Sequence, residues 1–118
     1  ATAPPSITVA GPVLRGCHPT ANGRYELEPV PLNGRPHYTT AGGARHLYWT
    51  PHFFATGGVG WVLDDDTLRS VVADAYAEVH LISPSEAPPT GSAVWQAPCD
   101  GWTNARLELT PAFPSTSQ

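Results

Sequence analysis

At 118 residues, with 41% hydrophobic residues and a formal net charge of −4, the chain has the size and composition of one folded domain, 1–118. Its six cations are all arginine (Arg15, Arg24, Arg35, Arg45, Arg69 and Arg106), so it lacks the basic footprint of a phosphate-backbone binder and nucleic acid is excluded as a partner. The missing lysine also removes Schiff-base chemistry, and no apolar run is long enough to span a bilayer.

Heavy use of proline (14) and glycine (11) argues against long helices and for many turns. Residues 1–5 are expected to be an extended or frayed end. Ile7 and Val9 then share one face of a short strand. Asn22-Gly23 and Asn33-Gly34 are the strongest local hairpin signals, because both residue types tolerate positive φ. Between them Tyr25 and Leu27 alternate with Glu26 and Glu28. Gly42-Gly43 marks another turn, and Leu47 and Trp49 alternate with His46 and Tyr48. Gly57-Gly58 precedes the Trp61 strand. Residues 66–73 read as a loop or single helical turn, although Leu68, Val71, Val72 and Ala75 also have the spacing of a helix over 67–81. Ala75, Ala77, Val79 and Leu81 alternate with Tyr76, Glu78, His80 and Ile82, and Pro88-Pro89 and Asp100-Gly101 are turns. Ala105, Leu107 and Leu109 form the last alternating run, before an extended or frayed end at 111–118. Period-two alternation throughout marks half-buried antiparallel strands.

Chemistry is concentrated in the aromatic residues. Trp49, Trp61 and Trp95 lie on alternating strands and are expected in the core. Tyr48, opposite in face to Trp49, is the candidate exposed aromatic. Trp102, beside Cys99 in a turn, could be core or surface. With His52, Phe53 and Phe54 in the loop before Gly60, Tyr48 and Trp102 make up the candidate binding residues.

The five histidines show no local zinc spacing, though His37 could lie across a strand from His46. Asp64-Asp65-Asp66 lacks the calcium-loop pattern and reads as a solvated acidic turn. No nucleophile elbow is present, and Glu26 with Glu28 fits a solvated strand edge better than a glycosidase pair. No catalytic residue, metal or cofactor is expected. Cys17 and Cys99 either bond or remain buried thiols; a bridge would close a loop of about 80 residues and stabilise by roughly 4 kcal/mol. The cysteine pair and the Ala1-Thr-Ala-Pro-Pro start point to a processed protein of an extracytoplasmic compartment, secreted, on the cell surface or in an organelle lumen such as the thylakoid lumen.

The order Asn22-Gly23-Arg24-Tyr25, Asn33-Gly34-Arg35-Pro36-His37-Tyr38, Leu47-Tyr48-Trp49, Gly60-Trp61, Ser83-Pro84 and Trp95 resembles a small aromatic-rich β-module of extracellular and multidomain proteins in algae and other protists. The resemblance covers roughly residues 7–97 and is interrupted by the 52–59 insertion. It implies no catalytic residues, and it would suit an algal photosynthetic or surface assembly.

The expected fold is all-β, an antiparallel β-sandwich or small open barrel of seven to nine short strands with at most one helical turn. Inward positions should include Ile7, Val9, Tyr25, Leu27, Leu47, Trp49, Trp61, Leu63, Val79, Leu81, Leu107 and Leu109. The expected role is non-enzymatic: an accessory module that binds protein in a larger assembly. A carbohydrate-binding module using exposed aromatics is the alternative.

Overall fold

The computed structural model describes residues 3–11, 21–51, 59–64, 79–98 and 101–112, with Trp102 described for its backbone alone. Eight strands follow in chain order: β1 (Ser6–Ala10), β2 (Gly23–Leu27), β3 (Tyr38–Thr39), β4 (His46–Thr50), β5 (Gly60–Asp64), β6 (Val79–Ile82), β7 (Gly91–Pro98) and β8 (Trp102–Ala112). Each pairs antiparallel with the next, and β8 returns to β1, so the sheet closes into a barrel. The all-β antiparallel expectation holds, with eight strands. The closing seam, Ser6↔Ala112 to Ala10↔Glu108, brings together segments that lie at opposite ends of the sequence. Among the described residues the one helical element is a 3-10 turn at Ala41–Gly43.

Alternation decides which side chains fill the barrel. Ile7, Val9, Tyr25, Tyr38, Leu47, Trp49, Trp61, Leu63, Val79, Trp95, Ala105, Leu107 and Leu109 are buried in one cluster, as the period-two pattern requires. Large and small residues face each other across strands. Trp95 lies opposite Ala105, and Leu107 opposite Ala93, which lets the indole lie across the interior without crowding. Leu27 departs from expectation: it sits where β2 leaves the barrel and is 37% exposed.

Both ends are tied by side-chain hydrogen bonds. At one end Trp49 Nε1 donates to Ser83 O (3.2 Å), Trp61 Nε1 to Ser85 O (3.3 Å) and the Tyr38 hydroxyl to Pro4 O (2.8 Å). Pro5 O accepts from Leu27 N, so residues 3–5 are held against the barrel rather than frayed. Pro111 and Ala112 likewise belong to β8. At the other end the Tyr25 hydroxyl donates to Ala21 O (2.7 Å) and Arg45 Nη2 reaches Leu63 O (3.4 Å). Burial pushes the Tyr25 phenol up to about 12, with Arg45 beside it working the other way, and burial likewise raises Tyr38 to about 12. Both therefore stay protonated hydrogen-bond donors across the physiological range.

The two Asn-Gly pairs do different things. Asn33 and Gly34 both have positive φ (53° and 76°), and Leu32 and Arg35 exchange backbone bonds of 2.9 and 3.1 Å around them. This is the expected two-residue hairpin turn. Asn22-Gly23 is not. The Asn22 amide instead pairs with both backbone groups of Gly11, Gly11 N to Oδ1 at 2.9 Å and Nδ2 to Gly11 O at 3.2 Å, extending the β1–β2 ladder with a side chain. The segments 66–73 and 75–78, Gly57-Gly58 and the Cys17–Cys99 pair lie outside the described residues.

Candidate functional site

Register lines up one row of outward side chains across four strands: Glu26 on β2, Thr39 on β3, His46 on β4 and Asp64 on β5. Strand alternation puts these on the outside because their neighbours Tyr25, Tyr38, Leu47 and Leu63 point inward. Glu28 and His37 flank the row where β2 and β3 separate; Glu28 N bonds His37 O at 2.7 Å, fixing the two side by side.

The polar contacts are specific. Arg24 Nε pairs with Glu26 Oε2 in the open. The Thr39 hydroxyl donates to Glu28 Oε2 at 2.5 Å. His37 Nε2 and His46 Nδ1 lie 3.0 Å apart, with ring centroids 5.2 Å apart and planes 17° from parallel. Tyr48 presents its ring edge-on to His37, and its hydroxyl donates to Asp64 Oδ2 at 2.8 Å.

Some of these groups border two adjoining depressions. A cleft of about 510 Å³ is lined by Glu26, Glu28, His37, Thr39, His46 and the Thr40–Gly43 turn. A second groove of about 270 Å³ is lined largely by apolar residues: Ala3, Leu27, Pro29, Pro31 and Pro36, with Gly34 and Arg35. Glu28 borders both. The Arg35 guanidinium lies over the Trp49 ring at 4.0 Å and anchors the proline hairpin to the barrel. Val30, on the same hairpin, is 69% exposed.

The two histidines share one ring-to-ring hydrogen bond. Its two nitrogens face each other. Metal–nitrogen bonds of about 2.0–2.1 Å to each ring would need lone pairs converging on a common point, not aimed at one another. Among the described residues no group of three or more His, Cys, Asp or Glu is arranged to hold a metal ion. Burial and the neighbouring His46 hold the His37 imidazole below its usual range, while Glu28 acts the other way. A histidine lowered in the fold is stabilised in its neutral form. Its contribution is therefore full above the unfolded value near 6.5 and is lost as pH falls through the lowered folded value. The urea midpoint is expected to fall from pH 7.5 to 5, with a shallower fall for His37→Gln. Identical pH profiles for the two proteins would refute this assignment.

Comparison with protein-family models, curated proteins and solved structures returns no match. The geometry stands alone.

The residues expected to bind fall unevenly. Tyr48 occupies the outer face as anticipated, but it is fully buried: Leu32 of the hairpin packs on Tyr48 and Val62, and Asp64 holds the hydroxyl. It is therefore not an exposed stacking platform. Asp64 is likewise no solvated turn residue; it ends β5 and is fully buried. Trp49, Trp61 and Trp95 are core, as expected. Trp102 begins β8. His52, Phe53, Phe54, Cys17 and Cys99 lie outside the described residues. The expected His37–His46 neighbourhood is present. Sequence reasoning missed Thr39 and the placement of Glu28 against both depressions. The three prolines of the Pro29–Pro36 segment (29, 31 and 36) were the available signal.

Proposed function

We propose that this chain is a non-enzymatic accessory module that binds another protein, as a peripheral subunit of a larger extracytoplasmic assembly. The observation that carries this reading is the apolar groove along the Pro29–Pro36 hairpin, with Val30 exposed beside it. Prolines fix the backbone and leave few amide donors, so such a surface is stiff and meets a partner at little entropic cost. An exposed apolar side chain on a rigid hairpin is the kind of anchor around which interfaces are built. A closed barrel has no free sheet edge, which directs association to surfaces such as this one. The glycan-binding alternative needs exposed aromatic rings, and the burial of Tyr48 removes one of its platforms.

Site-specific photocrosslinking in the native cell tests the proposal. A photoreactive residue at position 30 is expected to capture one defined protein, while the same residue at Val94, exposed on β7, does not. Absence of any protein adduct at position 30, or the same adducts from both positions, overturns it.

A further inference from the structure

We propose that the His37–His46 cleft receives a cationic side chain, an arginine or lysine of an extended partner segment, and releases it on acidification. This rests on the protein-binding reading and names the chemistry of the partner. The groove and the cleft meet at Glu28, so one extended segment can lay small apolar or proline residues along Pro29, Pro31 and Pro36 and place its next side chain beside Glu28.

The charge of that cleft selects the side chain. Glu26 is already paired with Arg24, whereas among the described residues the Glu28 carboxylate has the neutral hydroxyl of Thr39 and the field of His37 beside it. Among the described residues the Glu28 carboxylate is thus the cleft-wall charge with no cationic side chain paired to it, complementary to a guanidinium or ammonium group. The flanking turn keeps the mouth open, since Gly42 and Gly43 both have positive φ and carry no side chains across it.

The same geometry makes the site proton-sensitive. The groups facing the two rings are Glu28 at the end of β2, Glu26 with its Arg24 partner on β2, Thr39 on β3, Tyr48 on β4 and, along the row from His46, Asp64 on β5. One added proton keeps a bond between the rings, now charge-assisted, and places a positive charge beside Glu28. That charge neutralises the attraction for a cationic guest and competes with it for the carboxylate. A second proton sets N–H against N–H and is resisted. The cleft thus passes from anionic to neutral as the ring pair takes up its first proton, which burial and the neighbouring His46 resist at His37.

The test uses the peptide acetyl-Ala-Pro-Arg-amide and its Gln analogue, followed by amide chemical shifts of the full chain at pH 7.5 and 5.5. The Arg peptide is expected to move resonances of Glu28, Thr39, Gly42, Gly43 and His46 at pH 7.5, and to bind about five-fold more weakly at pH 5.5. Glu28→Gln, which keeps an acceptor for Thr39, should lose about the same factor at pH 7.5. The double change His37→Gln with His46→Gln should retain binding and lose its pH dependence. Equal binding of the Arg and Gln peptides, shifts confined to other surfaces, or affinity unchanged between the two pH values each overturn the proposal. A silent peptide titration with a partner captured at position 30 removes the cleft assignment alone. Peptide binding without a captured partner removes the broader reading instead.

Discussion

Trp61→Ala is expected to lower the unfolding free energy by about 3–5 kcal/mol, a large part of the stability of a domain this size. The side chain is fully buried, lies opposite Leu81 and Trp49 on the neighbouring strands, and donates to Ser85 O. Truncation leaves a void that closed strands cannot collapse into, and it frees the carbonyl that holds the 83–85 segment over the end of the barrel. Urea denaturation followed by circular dichroism measures the effect; a loss below about 1 kcal/mol would mean the interior tolerates the void. Trp95 provides the internal contrast. It is equally buried, yet among the described residues its Nε1–H finds no acceptor. Replacing each by phenylalanine removes similar volume but a satisfied donor in one case and an unsatisfied one in the other. Trp61→Phe should therefore be the more destabilising of the two, by about 1 kcal/mol.

Gly11→Ala is the second large effect. A Cβ at this position would lie 2.2 Å from Leu107 Cδ2 and 3.4 Å from Arg106 O. Leu107 is fully buried opposite Ala93, so its methyl can retreat only by leaving its packed position in the core. Shifting the Gly11 backbone outward instead would stretch both bonds from the Asn22 amide. Either response gives an expected loss of about 1–3 kcal/mol, typical of overpacking. Leu107→Ala should partly rescue Gly11→Ala, a non-additivity that a double-mutant cycle reads directly. Strict additivity of the two changes would show that the methyl contact is not the cause.

What was legible in the sequence was what depends on near neighbours. Ile7 with Val9, Leu47 with Trp49 and the Ala105–Leu107–Leu109 run each declare an inward face by alternation, and Asn33-Gly34 declares its turn through the φ each residue accepts. Closure was not legible, because the pairing of Ser6 with Ala112 has no local signature. The outer face was the harder half. Alternation gives the side on which Tyr48 and Asp64 lie, but not whether chain elsewhere covers that side. Leu32 reaches Tyr48 only because the hairpin folds back over β4, where Asn33 Nδ2 bonds Trp49 O at 3.1 Å. The His37–His46 relation sits between these cases. A short turn between β3 and β4 makes the two strands neighbours, while the edge-to-edge ring geometry and the role of Glu28 depend on register across three strands.

The ladder order also constrains how the chain reaches this state. Seven of the eight pairings join strands that follow each other in sequence, and only β8 with β1 spans the chain. Successive hairpins can zip with small loop-closure penalties, leaving one distant encounter to convert a curled ribbon into a barrel. That encounter fixes five residue pairs at once and draws Ile7, Val9 and Leu109 into the interior. Cooperativity is therefore concentrated at one seam: until it forms, the apolar inner face has an open edge, and after it forms no strand can leave without parting from two neighbours.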